Sequence, residues 1–235
     1  MTNTDFLKAV SLSFKEFLKK GTSRSTDKLK PLHGAIAEDL AQMFGADYEV
    51  ASQGYNQDKE ANISGRYFSK RVDITIKKNN KAIAGVGVKF VMQNYSQNSN
   101  NYFENMLGET ANIRSASYPY FQIFIVLDRM PYYDKDGSIK RWETFTVHDS
   151  EKYKRLSDDN TDVFFHTPNK TLIFVIHIDV EEEEITKRQE YLSYYREHFT
   201  TFRASEDKYE GFGGAVIIND YQTFIQKVYH TIKAL

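Results

Sequence analysis

The chain contains no cysteine, which excludes disulfide bridges, thiolate zinc sites and a cysteine nucleophile. It has no surplus of positive charge either. Its 31 Lys and Arg stand against 32 Asp and Glu, so nothing in the overall balance advertises a polyanionic partner. No apolar run reaches the length of a membrane span. Met1-Thr2-Asn3-Thr4-Asp5 lacks the basic region and apolar core of a signal peptide. These absences give the expectation of a cytoplasmic protein with no membrane partner. Internal repeats and low-complexity linkers are absent too. Gly211-Phe212-Gly213-Gly214 lacks the Lys-Ser/Thr of a phosphate loop, and there is no G-x-S-x-G elbow. The six histidines (His33, His148, His166, His177, His198 and His230) show no metal-ligand spacing such as H-x-x-x-H. His177 and Asp179 alternate on one strand and share a face, which suggests a structural partner for the histidine.

Apolar residues make up 40% of 235, enough for one sizeable core, and Tyr and Phe are abundant at 16 and 17. Helical spacing of Phe6, Leu7, Val10, Phe14, Phe17 and Leu18 predicts a helix over 4–20, with Thr4 as N-cap and Gly21-Thr22-Ser23 as its end. Leu32, Ile36, Leu40 and Phe44 step by four between Pro31 and Gly45, which predicts a second helix over 31–44. Strands are expected near 46–53, 71–77, 82–91, 120–127, 141–147 and 172–178. Further helices are expected at about 99–115, after His148-Asp149, at 181–199 and at 219–233. This order predicts an α/β fold with a mixed central β-sheet flanked by helices.

Two of these strands each carry one charge in an apolar run: Asp73 in Val72-Asp73-Ile74-Thr75-Ile76, and Lys89 at the end of Ile83-Ala84-Gly85-Val86-Gly87-Val88-Lys89-Phe90. A buried unpaired charge costs several kcal/mol, so such charges are paired or bound. Asn79-Asn80 is turn chemistry, and a hairpin there brings Asp73 to Lys89. Charge is also uneven locally. Arg66, Lys70, Arg71, Lys77, Lys78, Lys81 and Lys89 face Asp73 alone in 66–89, six basic residues fall in 15–30, and Glu181–Glu184 form an acidic run.

An acid beside a lysine on adjacent strand ends suits metal-dependent phosphodiester hydrolysis. That reaction needs a divalent cation on the nonbridging oxygens, a group that orients the attacking water, and stabilisation of developing charge. Asp73 supplies a first carboxylate and Lys89 an ammonium, and the Val88 carbonyl is a further oxygen donor. The second carboxylate is open between Glu38, Glu104 and Glu109, since position 87 is glycine.

With Asp73, Lys89 and the approach Ser64-Gly65-Arg66-Tyr67-Phe68-Ser69-Lys70-Arg71-Val72-Asp73-Ile74, the segment from about 31 to 127 resembles the PD-(D/E)xK nuclease superfamily, and within it type II restriction endonucleases. In that family a strand-end Asp precedes an acid-x-Lys on the next strand, often with a Glu on the preceding helix. Asp73 and Lys89 match the first acid and the lysine, and Glu38 resembles the helix glutamate. Gly87 departs from the pattern. Some members take the second acid from the following helix instead, and Glu104 resembles that acid more than Glu109 does, being nearer the helix start.

The resemblance implies a single nuclease domain over 1–235, with a catalytic core at about 31–127 and an α/β elaboration at about 128–235. It implies a Mg2+-dependent endonuclease on specific double-stranded DNA, working as a homodimer or higher homo-oligomer. Asp73 and Glu104 would hold the metal with the Val88 carbonyl, with Glu38 as an outer ligand and Lys89 on the water. Arg66, Lys70, Arg71, Gln93, Asn94, Tyr95, Gln97, Asn98, Asn100 and Asn101 are the expected DNA-binding residues, because amides and guanidinium groups read base edges and phosphates. Two alternatives stay in play: a decayed nuclease fold that only binds DNA, which Gly87 favours, and a repair or nicking nuclease.

Overall fold

The computed structural model describes residues 1–21, 26–179 and 185–235. Helix α1 (Asn3–Lys20) opens on a capping box between Thr2 and Asp5, two residues ahead of the expected Thr4, and closes at Gly21 with φ 63°. Its buried stripe of Phe6, Val10, Phe14 and Phe17 is at most 1% exposed. Burying each such side chain contributes about 1.5–3 kcal/mol. A 3-10 turn (Thr26–Leu29) leads into α2 (Lys30–Phe44), which carries Pro31 in its first turn. Strands β1 (Tyr48–Ser52), β2 (Ala61–Ser64), β3 (Ser69–Val72), β4 (Ile74–Lys78) and β5 (Lys81–Val91) follow, then helix α3 (Tyr95–Arg114). The remainder is β6 (Tyr120–Leu127), β7 (Arg129–Tyr133), β8 (Ile139–Thr144), α4 (Val147–Ser157), β9 (Lys170–Ile178), α5 (Arg188–His198), β10 (Phe202–Ala204), β11 (Val216–Ile218) and α6 (Tyr221–Lys233).

The central sheet runs β1-β4-β5-β6-β9-β10, with β11 also paired to β9. Strands β5, β6 and β9 are parallel to one another, whereas β1, β4 and β5 pair antiparallel. The expected mixed α/β architecture is therefore present. Phe124 and Phe174 occupy opposite faces of the sheet, since Phe124 is in register with Ile173. Phe174 meets Phe6 of α1, and α1, α2 and α6 pack against one another on that side. Phe124 meets Tyr153 of α4, which in turn meets Phe103 of α3 on the other. No helix of the described residues is long and apolar enough to cross a membrane.

Three local differences from the sequence expectation matter. The expected strand over 71–77 is broken at Asp73: β3 pairs with β2 in a separate hairpin, and β4 pairs with β1 and β5. Helix α3 starts at Tyr95, not at 99. Asn94 adopts φ 52°, and its amide accepts from the Tyr133 N–H at 3.0 Å, which turns the chain straight into the helix. The helix expected from 181 is described only from Arg188, and 181–184, with the acidic run, lie outside the described residues. The three-residue strands β10 and β11 are too brief to leave a period in the sequence. His177 has two acidic neighbours: Asp128 is hydrogen-bonded to Nδ1 at 2.7 Å, and the expected Asp179 lies 3.6 Å from Nε2.

Candidate active site

The β4–β5 hairpin turns on Asn79 and Asn80, both at positive φ, with Lys78 in register with Lys81. Ile74 lies opposite Val86, so Asp73 arrives beside Gly87 and Val88. Its Oδ2 accepts a hydrogen bond of 2.7 Å from the Val88 N–H, and its carbonyl accepts one of 2.8 Å from Ser52 Oγ. Burial pushes the Asp73 pKa up to about 6. The Val88 hydrogen bond opposes this shift, the Glu109 charge adds to it, and Lys70 and Lys89 pull the other way.

Lys89 lies two residues beyond Gly87 and so on the same side of β5. Its ammonium stands 4.4 Å from the centre of the Tyr102 ring on α3 and keeps contact with solvent. Desolvation lowers the Lys89 pKa, and the Asp73 carboxylate opposes that shift. Lys28, in the turn before α2, adds a second positive charge close enough to be lowered by Lys89. Among the described residues, no direct ion pair joins Asp73 to Lys89. The acid and the lysine act across a gap.

That gap is part of an open cleft of about 640 Å³, whose walls include Asp73, Lys89, Tyr102, Glu104, Glu109 and Gln122. Sequence reasoning left two glutamates of α3 as choices, and both line it. Glu109 is held at 2.7 Å by Lys70 Nζ and by the hydroxyl of buried Tyr120, and its charge acts on Asp73. Glu104 is exposed on the cleft wall, and its charge acts on Lys152 of α4. Glu38 is exposed on α2 and is absent from this wall, so the structure does not bring it to the cleft.

Gly87 is filled from the neighbouring strand. It is in register with Gln122 of β6, and a Cβ at position 87 would lie 2.6 Å from the Tyr120 hydroxyl and 2.8 Å from the Gln122 amide. Gln122 and Tyr120 thus occupy the space where an acid two residues before Lys89 would begin. Gly87→Ala is expected to destabilise the fold by about 1–3 kcal/mol through overpacking. Denaturant unfolding checks it, and an unchanged midpoint would show that these side chains yield freely.

On its other flank Asp73 approaches two groups that sequence reasoning passed over. One ligand atom each of His33 on α2, Glu60 ahead of β2 and Asp73 lie within 4.8 Å of one another. Burial holds His33 neutral, with its pKa lowered to about 4, and burial and Asp73 raise the pKa of Glu60. No spacing rule could have revealed this group, because its members sit on three separate elements.

The expected DNA-binding residues divide. Arg66, Arg71, Gln97, Asn100 and Asn101 are exposed, and Lys70 is partly exposed. Asn94 is committed to the backbone of Tyr133, and Asn98 bonds the Tyr102 hydroxyl. Gln93 is partly exposed, with its Oε1 buried. Tyr95 requires correction. It opens α3 with its ring in the core, 3% exposed and edge-on to Phe145, so it cannot meet DNA. Two aromatics that the sequence did not single out lie here: Phe68, 59% exposed, lines the cleft, and Tyr67, 75% exposed, lines a neighbouring cavity with Arg66. Their loop is pinned by buried Asn112, whose Oδ1 accepts from the Tyr67 N–H at 2.9 Å and whose Nδ2 donates to the Phe68 carbonyl at 3.0 Å.

Fold and site together define a mixed α/β protein with an acid–lysine–acid cleft at the end of its central hairpin. No family model, no curated protein and no solved structure matches the chain.

Proposed function

We propose that this chain is a metal-dependent endonuclease of the restriction type that hydrolyses phosphodiester bonds in double-stranded DNA. One observation carries the reading. Asp73, Lys89 and the helix carboxylate Glu109 share a single open cleft, with the acid clamped by the Val88 N–H and separated from the lysine by open space. An acid and a lysine kept together only for stability would close into a contact pair.

The donor set fits a hard cation. Asp73, Glu109 and the Val88 carbonyl supply oxygen, and the Glu109 charge, which raises the proton affinity of Asp73, marks a place that favours a positive charge. Magnesium is the proposed cofactor, and it would neutralise the phosphate oxygens as charge develops. The chain's own groups do the rest. Lys89 holds the attacking water by hydrogen bonding and faces the growing negative charge. Lys70 and Tyr120 fix the orientation of Glu109. Gln122 offers a neutral amide where the related pattern has an acid. Lys70 in the cleft and exposed Arg66 and Arg71 in the segment leading to it supply phosphate contacts, and Phe68 in the cleft and exposed Tyr67 next to it in sequence present stackable faces. Cutting both strands requires two such clefts, so a homodimer or higher homo-oligomer is part of the proposal.

The test is supercoiled plasmid, with and without base methylation, incubated with the purified chain and MgCl2. Discrete linear fragments are expected. Binding with no cut on any DNA would replace this reading with a decayed nuclease fold, which the filled space at Gly87 favours. A nicked product alone would point to a repair or nicking enzyme.

The two glutamates separate in the same assay. Glu109→Gln is expected to slow cleavage by roughly 10²-fold or more, the scale of losing one oriented electrostatic group. Glu104→Gln, on the exposed wall, is expected to cut within about threefold of the parent. The reverse order would return the second acid to Glu104.

A further inference from the structure

We propose that His33, Glu60 and Asp73 form a seat for a transition-metal dication of the manganese, cobalt or zinc class, in preference to magnesium. His33 is 3% exposed, and among the described residues neither of its ring nitrogens has a hydrogen-bond partner. Buried polar nitrogens are normally satisfied. Here the imidazole is aimed at two carboxylates, with one ligand atom from each of the three residues within 4.8 Å of the others.

The chain builds this approach from close backbone contact. The segment from Gln53 to Glu60 lies against the start of α2, with glycine where backbones touch. A Cβ at Gly34 would stand 2.3 Å from the Gly54 carbonyl oxygen, and one at Gly54 would stand 2.1 Å from that of Lys30. Asp58 ties the segment down, accepting from the Gly54 N–H at 2.6 Å and pairing with Lys30 at 2.5 Å. This strap delivers Glu60 to His33, and the joint between β3 and β4 delivers Asp73.

Donor chemistry sets the metal. Magnesium and calcium take oxygen ligands, whereas an imidazole adds affinity for first-row transition metals, rising from manganese through cobalt to copper and falling back at zinc. The seat shares Asp73 with the proposed nuclease cleft and so names a second metal class for that site. Cation binding is measured without DNA, so the two readings fail separately: a chain that binds cobalt and never cuts would sink only the nuclease.

The experiment is calorimetric titration and thermal melting of the full chain with MnCl2, CoCl2, ZnCl2 and MgCl2, with the visible absorption of bound Co2+ as a ligand-field signature. Co2+ is expected to bind at least about tenfold more tightly than Mg2+. His33→Leu should weaken Co2+ binding by about tenfold or more and shift its absorption bands. Its cation-free melting point should hold or rise, because leucine suits an apolar pocket. Glu60→Gln, which leaves the core untouched, should weaken binding similarly and decides the matter if His33→Leu misfolds. Glu38→Gln, exposed on the same helix, should bind as the parent does. Equal affinity for Mg2+ and Co2+, no binding of any cation, or unchanged Co2+ binding in Glu60→Gln would overturn the seat.

Discussion

Asp73→Asn is expected to abolish DNA cleavage and, at the same time, to make the cation-free protein more stable. Both effects come from one placement. The carboxylate is desolvated at the joint between two strands and stands near Glu109, which together push its pKa from an ordinary 3.8 to about 6. At pH 8 the folded protein therefore holds a charge that it binds less well than water does. The cost of that charge is roughly 3 kcal/mol at most. The sign follows from proton binding. Between pH 4 and 6 the folded state holds the Asp73 proton more tightly than the unfolded chain does, so this contribution to stability is lost as pH rises through that window. Above it the cost is constant. Asparagine keeps an acceptor for the Val88 N–H and carries no charge. Its melting temperature at pH 8 should exceed the parent's by several degrees, and the slope between pH 4 and 6 should flatten. Cleavage should fall by about 10³-fold or more, because a neutral amide attracts a divalent cation poorly. A variant that is no more stable at pH 8 would show that Asp73 is not held uncompensated.

Lys89→Met is expected to be the second large effect, a loss of cleavage of about 10³-fold with DNA affinity largely retained. Methionine keeps much of the aliphatic stem and removes the ammonium that stands over the Tyr102 ring. One lost phosphate contact would reduce the slope of log affinity against log salt by about 0.9, a modest change against the several cations of the rim. If Lys89 only neutralised Asp73, the variant would instead melt well below the parent and still cut. Stability, salt slope and cleavage measured together distinguish a water-orienting lysine from a structural one.

Much of this site was legible because local rules governed it. A charge inside an apolar run announces itself, and Asn79-Asn80 announces the hairpin, but the one-residue register shift between Ile76 and Lys77 that sets Asp73 beside Gly87 carries no such signal. The helices carrying Phe6 to Leu18 and Leu32 to Phe44 are written in their periodicity. The choice between Glu104 and Glu109 was not legible. The proposed preference for Glu109 rests on Tyr120 and Lys70 reaching α3 from different strands, whereas distance along the helix favours Glu104. Gln122 was hidden for a similar reason: its place beside Gly87 comes from the parallel pairing of β5 with β6 across the whole of α3. Tyr95 was misplaced because a polar neighbourhood in sequence concealed a core position in space.

The chain's residue pattern alone determined a mixed α/β architecture and a central hairpin that carries an aspartate and a lysine; the burial expected for both holds for Asp73 in part and not for Lys89, which is exposed. The tertiary structure decided which carboxylates and which imidazole surround them. Periodicity and turn chemistry act over a few residues, so they fix elements and the pairs that a short turn joins. A binding site gathers side chains from elements that meet only when the sheet is assembled and its helices are packed, and those meetings follow from register and close backbone approach, such as Gly34 against Gly54.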